Sequence, residues 1–290
     1  MSFASSAPRL HQRPSIRTSV LHIGAWAALI ALLAFVLLPM YWMAKTSLTP
    51  LEDVFRFPPE FLTTEWTFGA FHRVISDPVL HGYLRNSVIV ATVSAVSSVL
   101  IAAHAAYSFS KFRYPFRRSL MYLILTGQML PQALLLITIY LVFDALGILH
   151  TYLALVLAFA TFTLPLCIFM LKSYFDNIPN EIFEAAKIDG ASHLKIVWLI
   201  VFPLARPGLV ATGLFAFIRA WNDFIYALTL AGPGQRTLPP GLVLQYGGEF
   251  RSLWPDLMAA SLMTSLPVII AFIFLQRHFI EGLTSGAVKG

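Results

Sequence analysis

A chain of 290 residues with 58% apolar and only 12% charged side chains departs from the about 45–50% apolar and about 25% charged residues of soluble domains. Its long apolar runs fit a bilayer as solvent, and its single cysteine excludes an intramolecular disulfide and a thiolate zinc cage. A net charge of +6 could point to nucleic acid, but the placement of the basic residues accounts for it otherwise.

Residues 1–22 carry Arg9, Arg13 and Arg17 and precede a first apolar run, Ile23–Trp42. This run exceeds the roughly 7–15 residues of a signal peptide's apolar core and ends in Met40-Tyr41-Trp42-Met43, without a small-residue cleavage site, so it is expected to be a retained anchor. A polar segment from Lys45 to Asn86 leads to a second run, Ser87–Phe109, in which His104 is read as a packing residue. The cluster "KFRYPFRR", Lys111–Arg118, lies between this run and a third, Leu120–Phe143. That third run holds "GQMLPQ", where Gln128 and Gln132 are four apart and Pro131 frees a backbone carbonyl. Both glutamines are candidate pathway residues, with interhelical hydrogen bonding as the alternative.

A short hairpin near Asp144–Thr151 precedes the fourth run, Tyr152–Leu171, which contains Cys167. A loop from Lys172 to Arg206 follows, then a fifth run, Gly208–Leu230. Here Arg219 and Asp223 are placed to pair on one helical face, while Trp221, Asn222 and Asp223 could line a path by stacking on a sugar ring and hydrogen bonding to hydroxyls. Ala231–Asp256, with "AGPGQRTLPPG", is not expected to be helical throughout. The sixth run is Leu257–Gln276, and residues 280–290 form a tail. Six helices of about 20 residues each can therefore cross a membrane, giving an all-α membrane protein whose transmembrane domain spans 23–279.

With both termini inside, the inner segments hold 13 Lys and Arg residues and the outer segments 6, and Arg219 lies within a run. This asymmetry favours that orientation and makes the Lys111–Arg118 cluster a topology signal, with no nucleic-acid partner required. The histidines show no metal-ligand spacing, so no metal site is expected.

The inner loop of about residues 173–206 is the largest on that side. Pro179 suits a first helical turn and Glu181 a helix N-terminus. Ile182, Ala185 and Ala186 recur at helical spacing as an apolar face, opposite Glu181, Glu184 and Lys187. Asp189-Gly190 reads as a stop, Ser192 as the cap of a second short helix reaching about Trp198, and Pro203 and Pro207 as its break. The result is a helical bracket on the membrane surface. It either docks into another subunit or rests on headgroups as an interfacial helix; a headgroup-resting helix would carry more Lys and Arg on its polar face and larger apolar anchors, whereas this one has Glu181, Glu184 and an Ala pair.

The spacing of Glu184-Ala185-Ala186, Gly190, Ile200 and Pro203 resembles the cytoplasmic signature of the inner-membrane permease subunits of ABC importers, with Phe202 in place of the family's leucine. "NSVIVA", "AAYSFSKFRYPFRR", "WNDFIYAL" and "QRHFIEGLTSGAVKG" resemble the maltose-type carbohydrate branch. The resemblance implies a type I importer permease fold in which Glu184–Gly190 is a coupling helix, and Glu184, Ala185, Ala186, Asp189, Gly190, Ile200 and Pro203 transmit motion from an ATPase. It implies as partners a second similar permease, two ATPase copies that bind ATP and magnesium, a solute-binding protein outside the cell, and membrane lipid. The sequence contains no G-x-x-x-x-G-K-[ST] phosphate loop, which accords with a subunit that is not itself an enzyme and has no cofactor of its own. A glycerol phosphate as cargo is the alternative within this machinery. A secondary transporter or an intramembrane enzyme would need two similar halves or paired catalytic groups in the spans, and neither is visible.

Overall fold

The computed structural model describes residues 16–62, 65–248 and 251–287, with side chains over 22–62, 65–248 and 253–276. Arg9, Arg13 and Lys289 lie outside the described residues, and so do the side chains of Arg17, Arg251 and Arg277. Among the described residues four continuous helices are long and apolar enough to cross a membrane, and two bent pairs bring the number to six with each pair taken as one crossing.

Helix α1 (Ile16–Ser47) packs against the last helix and buries none of its most apolar stretch within the chain. A short α2 (Gly69–Ile75) leads to α3 (Pro78–Lys111), whose 34 residues would extend about 50 Å at 1.5 Å per residue, well beyond the roughly 30 Å hydrocarbon core. Asp77 caps α3, its Oδ1 accepting from Val79 N at 2.9 Å, and Pro78 occupies the first helical position, where no N–H is needed.

The third apolar run is not one helix. α4 (Arg117–Thr126), a 3₁₀ turn at Gly127–Met129 and α5 (Gln132–Ala145) are bent by 100° about Leu130-Pro131. Pro131 has no N–H to continue the ladder, and the residue before a proline is pushed out of helical geometry; Leu130 has ψ 133°. α6 (Tyr152–Asp176) is capped by Thr151 and carries Pro165 inside.

The fifth run is corrected too. α10 (Arg206–Trp221) stops nine residues short of the expected end, Leu230, and Asn222–Phe224 separates it from α11 (Ile225–Leu230). A 3₁₀ turn at Pro233–Gln235, α12 (Leu238–Tyr246) and an antiparallel pairing of Gly247-Gly248 with Arg251-Ser252 lie in the following loop, so it is indeed not helical throughout. Finally α13 (Trp254–Ala287) continues through most of the segment expected as a tail.

The core lies where α3 meets α6 and α10. Alanines 102, 103 and 106 of α3 are fully buried against Cys167, Ile168 and Leu171 of α6. Ser98 and Thr163 hydroxyls meet across the pair at 2.8 Å. Small residues let the backbones approach, and a hydroxyl pair is satisfied internally where no water can serve. A second core at the other end joins Leu80, Val90, Leu155, Trp221, Tyr226 and Leu230.

Candidate functional site

The bracket between α6 and α10 is built by local rules. α7 (Asn180–Ile188) begins one residue later than Pro179, which has φ −54° and ψ 139° as the preceding residue. At its other end Gly190 sits at φ +76°, its N–H donating to Lys187 O at 3.0 Å, while Ala191 N donates to Ala186 O at 2.9 Å. These two bonds are the Schellman closure, which needs a left-handed residue after the helix and so favours glycine. Ser192 then caps α8 (His193–Ile196), its Oγ accepting from Lys195 N at 3.4 Å. A π turn over Val197–Val201 joins this to α9 (Phe202–Leu204), and the chain bends by 85° at Ala205 into α10. Pro203 does not break the bracket; it lies in the first turn of α9, where its missing N–H costs nothing, and the bend falls two residues later, just before Pro207.

The buried face of α7 differs from expectation. Phe183 and Ala186 are 4% and 8% exposed, whereas Ile182 and Ala185 face out. Phe183 lies under the Lys111 ammonium, 4.4 Å from the ring centroid, and that ammonium also donates to Ile178 O at 2.8 Å and to Asn180 Oδ1 at 3.2 Å. Beside it, Phe112 meets His193 edge to face at 4.8 Å, and the Tyr107 hydroxyl lies 3.2 Å from His193 Nδ1. Lys111, at the C-terminal end of α3, thus ties the bracket to the core. In sequence it was one of four like charges, and nothing local marks it from the arginines that follow.

With its inner face so occupied, the bracket leaves Glu184, Ala185, Ile188, Asp189 and Gly190 exposed, Ile188 at 86%. Leu194, Leu199 and Leu204 of the following helical turns are exposed as well, and Ile200 is half-buried. A surface helix that turns Ile188 outward with two carboxylates alongside has a face suited to a partner that is both apolar and hydrogen bonding.

The polar residues of the third and fifth runs come together in a way the helical spacing does not foresee. Gln128 and Gln132 do not share a helix face, because the 100° bend separates them. Gln128 Nε2 donates to Phe162 O at 2.8 Å, in the turn that Pro165 loosens. The main-chain carbonyl of Gln132 accepts from the Tyr226 hydroxyl at 2.5 Å, linking the break after α4 to the break after α10. Asp223 and Arg219 form no ion pair, since the helix ends between them; Asp223 Oδ1 instead accepts from Ala227 N at 3.0 Å and starts α11. Trp221 is 4% exposed and stacked on Phe217 at 5.4 Å, so its ring faces are packed against protein, and Asn222 beside it is exposed. Trp221 and Asn222 border a cavity of about 320 Å³ with Leu257, Ser261 and Thr264 of α13. Irregular backbone at membrane depth persists where it is covered by protein or lines a cavity.

A polar staple, not foreseen from sequence, fixes the opposite end. Asn86 Nδ2 donates to Gly234 O and Arg236 O at 3.0 and 2.9 Å, its Oδ1 accepts from Tyr152, and Ser87 Oγ accepts from Leu238 N at 2.7 Å. Asp77 Oδ2 accepts from Tyr246 at 2.8 Å; burial, then this carboxylate, raises the phenol's pKa above its ordinary value. Arg73 forks onto Asp256, 1% exposed at the start of α13, at 2.7 and 2.8 Å, and the hydrogen-bonded carboxylate holds the guanidinium's pKa above its usual value.

Residues 98–284 match the family described as binding-protein-dependent transport system inner membrane component. The chain is 36% identical over 271 residues, covering 92% of this chain and 96% of the relative, to an inner membrane ABC transporter permease protein, YcjP, of Escherichia coli K12. It is 35% identical, covering 95% and 98%, to the trehalose/maltose transport system permease protein MalG of Thermococcus litoralis. It is 34% identical, covering 88% and 89%, to the sulfoquinovosyl glycerol transport system permease protein SmoH of Agrobacterium fabrum. A solved bacterial ABC transporter for import of the acidic polysaccharide alginate shares the fold, with a TM-score of 0.81 at 24% identity over 92% of this chain and 99% of that one.

Proposed function

The chain belongs to the family of binding-protein-dependent transport system inner membrane components, and from that premise we propose that it is a permease subunit that imports a saccharide or polyol, driven by ATP hydrolysis on separate subunits. It is a multi-pass membrane protein. A similar permease would complete the path, two ATPases would bind ATP and magnesium on the cytoplasmic side, and a solute-binding protein would deliver cargo from outside. Both termini lie in the cytoplasm in this reading.

The observation that carries the coupling role is the two-sided bracket. Its inner face is fastened through Phe183, Lys111 and His193 to the end of α3, and its outer face exposes Ala185, Ile188 and Glu184. An ATPase seated on the outer face would pull α3 and α10 as one body, since the bracket has no flexible linker between its anchors. The cargo would pass beside the two helix breaks, where Asn222, Gln128 and the cavity under α13 supply hydrogen-bonding groups. The relatives' saccharide cargoes support this choice of substrate class.

Expressed with its ATPase and partner permease, the chain is expected to co-purify with both. Glu184→Lys, at an exposed position, is expected to lose the ATPase while retaining the partner permease; retention of the ATPase at wild-type stoichiometry would refute the docking role of this face.

A further inference from the structure

We propose that Arg113, Arg117 and Arg118 form a binding site for the phosphate headgroup of an anionic phospholipid at the cytoplasmic end of the third span. The cluster "KFRYPFRR" divides in the fold: Lys111 is consumed by the bracket, while the three arginines, with Tyr114, Phe116 and Ser119, surround a cavity of about 420 Å³. Arg117 donates to Phe112 O at 2.8 Å, which holds its guanidinium at the cavity. Arg113 and Arg118 are exposed and make no hydrogen bond or ion pair among the described residues. Three like charges around one hollow, without a carboxylate to offset them, call for an anion.

The surroundings select a lipid over a free anion. Phe116, held at φ 61°, is 78% exposed, and Leu120 and Leu123 follow it at i+4 and i+7 with 43% and 69% exposure. This forms an apolar stripe running from the cavity along α4, on the span itself, where acyl chains would lie while the phosphate meets the arginines. Basic pockets at the cytoplasmic membrane surface recognise anionic headgroups in this way. The inference rests on the cytoplasmic placement of this loop.

The test uses the whole importer in nanodiscs of phosphatidylcholine with increasing phosphatidylglycerol, reading retained phosphatidylglycerol by native mass spectrometry. The Arg113→Gln/Arg118→Gln double variant leaves the Arg117 contact to Phe112 in place, and protection of buried Cys167 from a thiol reagent reports that it is folded. Wild type is expected to retain phosphatidylglycerol about 25-fold more tightly than the folded double variant, at about five-fold per arginine, with inorganic phosphate failing to compete. Equal retention by both proteins, or displacement by inorganic phosphate, overturns the lipid site. Labelling of Ser119→Cys by an impermeant maleimide separates the two readings: reaction only from the extracytoplasmic side overturns the orientation, and with it this site, whereas reaction from the cytoplasmic side with equal lipid retention overturns the lipid site alone.

Discussion

Replacing Lys111 with Met keeps the side-chain length and removes the charge that fastens α7 to α3. The ammonium's bonds to Ile178 O at 2.8 Å and Asn180 Oδ1 at 3.2 Å, and its position 4.4 Å above Phe183, would all be lost. Bonds to charged donors contribute about 1.5–3 kcal/mol each and a partly exposed cation over a ring about 0.5–1 kcal/mol. Lys111 is only half-buried, so water replaces part of what is removed, and a net loss of about 2 kcal/mol is reasonable. That corresponds to a roughly 30-fold weaker preference for the fastened bracket. The transmembrane core does not depend on this contact, so membrane insertion and Cys167 protection are expected to stay at wild-type levels. In proteoliposomes holding the complete importer, ATP hydrolysis is expected to continue while its stimulation by cargo-loaded binding protein falls about tenfold or more, with partial recovery in Lys111→Arg. Wild-type stimulation in Lys111→Met would refute the claim that this contact transmits motion from α7 to α3.

Gly190→Ala adds a Cβ with no atom within 4 Å, so only the φ of +76° opposes it; the cost is about 1–2 kcal/mol, and uptake is expected to fall only modestly, whereas Gly190→Pro cannot adopt that φ or donate to Lys187 O and should abolish uptake, measured in the same vesicles. Arg73→Ala leaves the 1%-exposed Asp256 without its fork, and is expected to lower stability by about 2–4 kcal/mol, read as earlier thermal exposure of Cys167 to a thiol-reactive dye. Gly208→Ala would place a Cβ 2.5 Å from the Tyr174 ring, so it is expected to lower the same thermal midpoint and to disturb the junction of bracket and α10. Asn222→Ala is expected to reduce cargo uptake several-fold at unchanged expression, checked by transport assays over a range of cargo concentrations.

The bracket was legible because its determinants are local: a glycine that closes a Schellman turn, a serine cap and prolines near the helix starts. Its facing was not. α7 carries apolar residues on two sides, Phe183 with Ala186 and Ile182 with Ala185, and periodicity cannot tell which side meets the core when the other awaits a partner. The spans were legible as apolar mass, but a hydropathy window does not register direction or interruption, so the bend at Pro131 and the break after Trp221 passed as straight helix. The signals were present in "GQMLPQ" and in the polar Asn222-Asp223 pair, which fit helix ends better than helix interiors. The staple of Asn86 and Ser87 onto residues 234–238, and the fork of Arg73 onto Asp256, join residues some 150 to 183 positions apart, and no local pattern announces such contacts.

The central claim is that work done by ATPases on other chains enters through this bracket and moves a saccharide across the membrane. Uptake of labelled saccharides, measured alongside ATP hydrolysis in proteoliposomes with and without the ATPase, tests it most directly. The account predicts that cargo-loaded binding protein raises hydrolysis and uptake together, and that both vanish when the ATPase is omitted or Glu184 is changed to Lys. Sustained, concentrative saccharide uptake without the ATPase would contradict it.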